Sequence, residues 1–158
     1  MSRASAYAAA TMTVTVTEAL TLNSKDYGST QSFTMSSIIN VDRRIVTATT
    51  TETTIMNFAS LVGAGQFVPA KVKYLRFANL DDTNFIVLTF ANENDDEAAV
   101  KVDAGNTFIL AGDNAGGMAD MLDAKDSALS LSLGDLKSIT VDADTASCDV
   151  EVFVAEIA

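Results

Sequence analysis

Between residues 12 and 22, apolar and polar positions alternate. Met12, Val14, Val16, Leu20 and Leu22 share one parity, and Thr11, Thr13, Thr15, Thr17 and Thr21 share the other. A period of two is the period of a strand, so the stretch predicts a half-buried strand with its threonines outward. Residues 23–29 (Asn-Ser-Lys-Asp-Tyr-Gly-Ser) read as a loop. Residues 30–35 return as a strand carrying Phe33 and Met35. Ile38-Ile39 followed by Asn40-Val41-Asp42 predicts a turn, and residues 44–50 a further strand. Residues 53–58 read as a strand, with a single helical turn as the alternative, because Ile55, Phe58, Ala59 and Val62 also fit a helical period.

The chain is organised around residues 72–102. In residues 85–90 (Phe-Ile-Val-Leu-Thr-Phe) apolar side chains occupy both parities, which predicts a central strand covered on both faces. Before it, Asp81-Asp82-Thr83-Asn84 supplies side chains that bond their own backbone in turns. The expected arrangement is three consecutive antiparallel strands. Pro69 stands just ahead of them, where a missing N–H does least harm. Further along, Thr107–Ala111 predicts a strand with Phe108 and Leu110 inward, and residues 112–117 a flexible loop. A short helix or a long loop is expected over 118–126, then a strand through Leu129, Leu131 and Leu133. Residues 138–141 and 149–157 finish the fold. About nine or ten short strands separated by turn signals predict an all-β chain, a two-sheet antiparallel β-sandwich of jelly-roll type.

Composition narrows the class. The chain has 158 residues, 48% of them apolar and 20% charged, which suits one domain with a single core. A formal charge of −11 argues against a nucleic-acid groove and against anionic membranes. No stretch approaches the length of a membrane span. Arg3 and the small residues after it lack the apolar segment of a signal peptide. They read as an extended arm, residues 1–10, ahead of a single domain, residues 11–158.

Candidate chemistry is thin. The chain has no histidine, and Cys148 is its one cysteine, which rules out an intrachain disulfide and a cysteine-based zinc site. Cys148 has no adjacent cation to activate it and reads as a small buried hydrophobe. Asp95-Asp96-Glu97 offers hard oxygen ligands, but its spacing matches no calcium loop, so a solvated hairpin loop is expected. Asp142 and Asp144, with Asp149 nearby, share a strand parity and read as the approach to a turn rather than as a glycosidase pair. The glycines between Gly112 and Gly117 match no phosphate-binding pattern. Arg43-Arg44 is expected to pair with local carboxylates. Neither a catalytic site nor a cofactor or metal is expected.

The segment Lys-Tyr-Leu-Arg-Phe-Ala-Asn-Leu-Asp-Asp-Thr-Asn-Phe (residues 73–85) resembles a strand, Asn-Leu, turn, strand pattern in virion proteins of marine and cyanobacterial tailed phages. The ending Ala-Asp-Thr-Ala-Ser-Cys-Asp-Val-Glu-Val-Phe-Val (residues 143–154) is similar to the C-terminal signature of the same group. The resemblance implies a non-enzymatic structural component of a bacteriophage virion. Within that class the expectation is a capsid decoration, or cement, protein on the capsid exterior. It would form a homo-oligomer, a trimer, and bind the major capsid protein or other virion proteins. Ser2, Arg3, Ala4 and Tyr7 of the arm would contact the partner. A tail, connector or fibre-base protein is the alternative within virions, and a carbohydrate- or calcium-dependent adhesion module the alternative outside them.

Overall fold

The computed structural model describes residues 8–60, 66–112, 117–122 and 133–158. Among these, twelve strands run in chain order: β1 (Ala10–Glu18), β2 (Thr21–Leu22), β3 (Lys25–Asp26), β4 (Ser29–Ala48), β5 (Thr53–Phe58), β6 (Gln66–Phe67), β7 (Val72–Asn79), β8 (Ile86–Asn92), β9 (Glu97–Val102), β10 (Thr107–Ala111), β11 (Leu136–Ala143) and β12 (Cys148–Ile157). They form two five-stranded sheets, β1-β4-β12-β7-β10 and β6-β5-β11-β8-β9, plus the small β2-β3 pair. Every ladder is antiparallel except the short β5–β6 pair. The chain is all-β, as its threonine and valine alternation predicts.

From β4 onward the chain crosses between the two large sheets at six of its eight connections, so both sheets feed one core. β7 and β12 turn Leu75, Phe77, Val150, Val152 and Val154 inward, against Ile86, Leu88 and Phe90 of β8 and Ile139 and Val141 of β11. Phe77 meets Phe90 edge-on with ring centroids 6.3 Å apart, and Phe90 meets Phe108 at 5.5 Å. Each fully buried Val, Leu or Phe contributes roughly 1.5–3 kcal/mol. As expected, Phe108 and Leu110 point inward, and β5 is a strand throughout its range.

Three local expectations fail for identifiable reasons. The three-stranded run over 72–102 divides: β8 and β9 form a hairpin, but β7 belongs to the other sheet, between β12 and β10. Asp81–Asn84 is therefore a crossover between sheets. Asp81 still organises it, its Oδ1 accepting the N–H groups of Asn84 at 2.6 Å and Thr83 at 2.8 Å. Asn79, buried, adds bonds from its Nδ2 to the carbonyls of Asn84 (2.9 Å) and Val102 (3.3 Å). The strand covered on both faces is β7; in β8 only Ile86, Leu88, Phe90 and Asn92 are buried, and the residues between them are half-buried.

Secondly, the turn expected at Asn40-Val41-Asp42 is continuous strand. β4 runs for 20 residues because β12 supplies partners for all three: Glu156, Ala155 and Val154. The irregularity sits earlier, at Ser37, whose φ of 64° is left-handed and around which both flanking ladders slip register. Thirdly, residues 12–22 are not half-buried along their length. Only Met12 and Val14 are partly covered, and Val16, Leu20 and Leu22 are exposed. The arm residues Ser2, Arg3, Ala4 and Tyr7 lie outside the described residues, as do most of the loop at 112–117 and residues 123–126 of the helix or loop expected at 118–126; the described part of that segment, 118–122, is not helical and turns at 118–120. Of the strand expected around Leu129, Leu131 and Leu133, only Leu133 is described, and it is exposed.

Candidate functional site

β1 and the first half of β4 pair with each other as a two-stranded ribbon, with β2 and β3 at its far end. Every residue from 15 to 34 is exposed. The ribbon thus stands clear of the body, and its local order comes from its own chemistry. Asn23 (φ 51°) and Ser24 (φ 62°) are both left-handed, which is the requirement of a two-residue hairpin turn matched to strand twist. The N–H of Tyr27 donates to the Leu20 carbonyl at 2.8 Å, and that of Gly28 to Asp26 Oδ1 at 2.8 Å. A side chain at Gly28 would begin 2.6 Å from the Glu18 carbonyl oxygen, so this close approach requires glycine. Along the ribbon, Thr15 bonds Ser32 at 3.0 Å, and Ser29 donates to Glu18 at 2.9 Å. On this ordered frame Leu20, Leu22 and Tyr27 are 55%, 55% and 54% exposed, with Val16 and Phe33 also open to solvent.

The base of the ribbon is seated. Met35 and Ile38 are buried with Tyr74 and Ala155 in a second, smaller cluster, against which Met12, Val14, Phe153 and Ile157 pack. This cluster lies on the outer face of the β4-β12-β7 sheet, opposite the shared core. Tyr74 and Phe153 meet edge-on at 5.9 Å. Burial raises the Tyr74 hydroxyl above its ordinary pKa against the opposing influence of Arg76. Between the ribbon and the sheet runs a groove of 340 Å³ lined by Met12, Thr13, Val14, Thr15, Tyr74, Arg76 and Phe153.

Beside the groove, register sets Arg43, Phe153, Arg76 and Ile109 in one row across β4, β12, β7 and β10. The next row holds Ile45, Glu151, Ala78 and Thr107. Glu151 accepts from Arg43 Nη2 at 2.6 Å and Nε at 3.0 Å, and also from Arg76 Nη2. These two arginines hold its carboxyl below the usual carboxylate range. The Arg76 guanidinium also stands 5.7 Å from the Phe153 ring. Around this cluster Val41, Ile45 and Ile109 are exposed. Arg44, one residue on, takes the opposite face, where it bonds Asp42 at 3.2 Å and the Ile55 carbonyl at 2.7 Å. The expected pairing of Arg43 and Arg44 with local carboxylates is what the structure shows.

The remaining candidates stay apart. Asp95, Asp96 and Glu97 sit at the β8–β9 turn. There Asp95 pairs with Lys137, while Asp96 Oδ2 accepts from Asn92 at 3.2 Å. Asp142 is half-buried on β11, Asp144 lies beyond the end of that strand, and Asp149 accepts from Thr47 at 3.0 Å. Among the described residues no group of three or more Cys, Asp or Glu is placed to hold a metal ion, and no helix is long and apolar enough to cross a membrane. Cys148 is fully buried, and burial with the negative charges of Asp81, Asp144 and Asp149 pushes its thiol pKa up. Sequence reasoning placed the ribbon's two strands but not their projection from the body, and it missed the outer sheet face. One available signal was charge. Residues 1–36 hold two cations, Arg3 and Lys25, and two anions, Glu18 and Asp26, so the whole −11 lies in residues 37–158.

Compared with known proteins, the chain matches no family model, no curated protein and no solved structure.

Proposed function

We propose that this chain is a non-enzymatic structural part of a multi-copy protein assembly, and that the assembly is a tailed-phage virion, with the chain bound to the outside of the capsid as a decoration protein. The finer architecture that goes with this reading is a jelly-roll-like sandwich of the two sheets. The observation that carries it is the ribbon, an ordered, sparsely charged projection that presents Val16, Leu20, Leu22, Tyr27 and Phe33 to solvent. Presenting apolar side chains on a stiff element suits docking onto another protein surface. The virion setting rests on the resemblance of residues 73–85 and 143–154. In the fold those segments are most of strand β7 with the crossover that follows it, and the β11–β12 turn with most of strand β12.

The test is the copy number of this chain in purified particles of its source, by quantitative mass spectrometry against the major shell protein. A ratio near one, or a simple fraction of it, supports decoration. A trace ratio moves the chain to the tail or connector, and absence from particles overturns the virion reading. Triple substitution Leu20→Ser, Leu22→Ser and Tyr27→Ser then asks whether the ribbon is the docking element. Titrated well below saturation, occupancy should fall at least about tenfold, the effect of losing 1.4 kcal/mol of binding, while the chain stays folded. Unchanged occupancy removes the ribbon from the interface.

A further inference from the structure

The sheets end in four edge strands, β1, β10, β6 and β9. Exposed edges invite pairing with other chains, and proteins blunt them by shortness, charge or cover. β6 has two residues and β10 five; β9 has six, with Glu97 and Lys101 on it. β1 is the exception. It has nine residues, Ala-Thr-Met-Thr-Val-Thr-Val-Thr-Glu, with no proline and no charge before Glu18. Its only ladder partner among the described residues is β4.

The groove beside β1 has a telling lining. Met12, Thr13, Val14 and Thr15 all contribute to it, and successive side chains of a strand point to opposite faces. A groove touched by both parities runs along the strand's edge rather than under one face. Its floor is Tyr74, Phe153 and Arg76. An unpaired edge beside a mostly apolar floor is the arrangement that accepts an added strand, with backbone bonds on one side and alternate side chains in the groove.

We infer that the occupant is β1 of a second copy, paired antiparallel to β1 about a two-fold axis at Val14. The register that overlaps all nine residues sets Val14 opposite Val14, Met12 opposite Val16, Thr13 opposite Thr15, Thr11 opposite Thr17 and Ala10 opposite Glu18. Apolar faces apolar and threonine faces threonine at every interior position, and no like charges meet. The pattern is self-complementary, as an isologous interface requires. Charge points the same way. Two bodies that carry the entire −11 repel, and β1 lies in the part of the chain whose charges balance. The pairing stands apart from the virion reading, so absence from particles leaves it untouched.

Light scattering coupled to size exclusion tests it on the full chain. The expected mass is twice the 16.6 kDa of one chain. A monomer at the highest soluble concentration overturns the proposal. So does a trimer, the stoichiometry expected from the resemblance, because two-fold strand pairing does not build one. Thr13 and Thr15 are exposed, so the double variant Thr13→Lys, Thr15→Lys should fold and be monomeric, with lysine facing lysine across the axis. The variant Thr13→Glu, Thr15→Glu should behave likewise. Mixing the two should restore a dimer containing one chain of each. Dimers of either variant alone as strong as wild type, or a mixture that stays monomeric, overturn the register. Should the lysine variant fail to fold, Val14→Cys supplies the second test. Opposed residues in an antiparallel pair lie about 4.5–5.5 Å apart at Cα, within disulfide reach. Mild oxidation should link two chains through this position, and failure to link them overturns the axis at Val14.

Discussion

Met35→Ala is the sharpest probe of how the ribbon is held. Met35 is 3% exposed and belongs to the small outer cluster with Ile38, Tyr74 and Ala155, directly across the ladder from Met12. Truncating a buried methionine to alanine costs about 2–5 kcal/mol, the spread reflecting how far the site collapses. Here Met12 and Val14 are only partly covered and the groove lies alongside, so the neighbours have room to move. That places the cost near the low end, about 2 kcal/mol. At 1.4 kcal/mol per factor of ten, the equilibrium for opening the ribbon rises about 30-fold. Because the ribbon strands pair mainly with each other, the loss should be local. Hydrogen exchange read by mass spectrometry should show residues 10–18 and 29–36 exchanging about 30-fold faster, with β8 and β11 unchanged. Phe77→Ala is the contrast. It empties the shared core opposite Phe90, costs about 3–5 kcal/mol and should lower protection everywhere. If Met35→Ala accelerates β8 and β11 as much as the ribbon, the two clusters unfold as one unit and the reasoning is wrong.

Four further outcomes follow from the geometry. Asn79→Ala strips partners from the Asn84 and Val102 carbonyls and the Asp81 N–H, and should cost about 1–3 kcal/mol in urea unfolding; a negligible change would mean that water takes over these bonds. Glu151→Gln should be less stable than wild type at neutral pH. Arg43 and Arg76 depress this carboxyl below its ordinary 4.5, so its contribution is present above that value and disappears as pH falls through the lower folded one; a thermal-melt difference that widens on acidification would refute the assignment. Cys148 should react with a thiol reagent only as the domain opens, because burial and three nearby carboxylates disfavour its thiolate, so labelling should rise along the urea transition. Self-association through β1 should hold or strengthen with added salt, since screening relieves repulsion between anionic bodies; a steep weakening would point to an ion-paired interface instead.

How much of this was legible in the sequence depends on what each residue answers to. Strand identity answers to local pattern, and the alternation in Leu136–Ala143 and Cys148–Ile157 is enough to place β11 and β12. Turn chemistry is local too, and Asp81 bonds the backbone as aspartate in a turn should. Which sheet a strand joins is not local. A turn built on Asp81 serves a hairpin or a crossover equally well, and the choice falls to β12, whose Val150, Val152 and Val154 pair with β7 some seventy residues away in sequence. Long-range partners likewise override the turn signal at Asn40-Val41-Asp42, because β12 supplies ladder partners to all three residues.

The site was hidden for a related reason. Alternation in β1 says that one face is apolar; it does not say that the chain itself covers that face. Met12 and Val14 find Tyr74 and Phe153, and two residues later Val16 is 43% exposed, although the pattern is unbroken through all three. An apolar stripe that outruns the body of its own fold has a seat at its base and open apolar surface beyond it. Threonine on the opposite parity keeps such a strand soluble without charge, and leaving charge out keeps the edge able to pair. Both choices suit the strand pairing proposed for that edge.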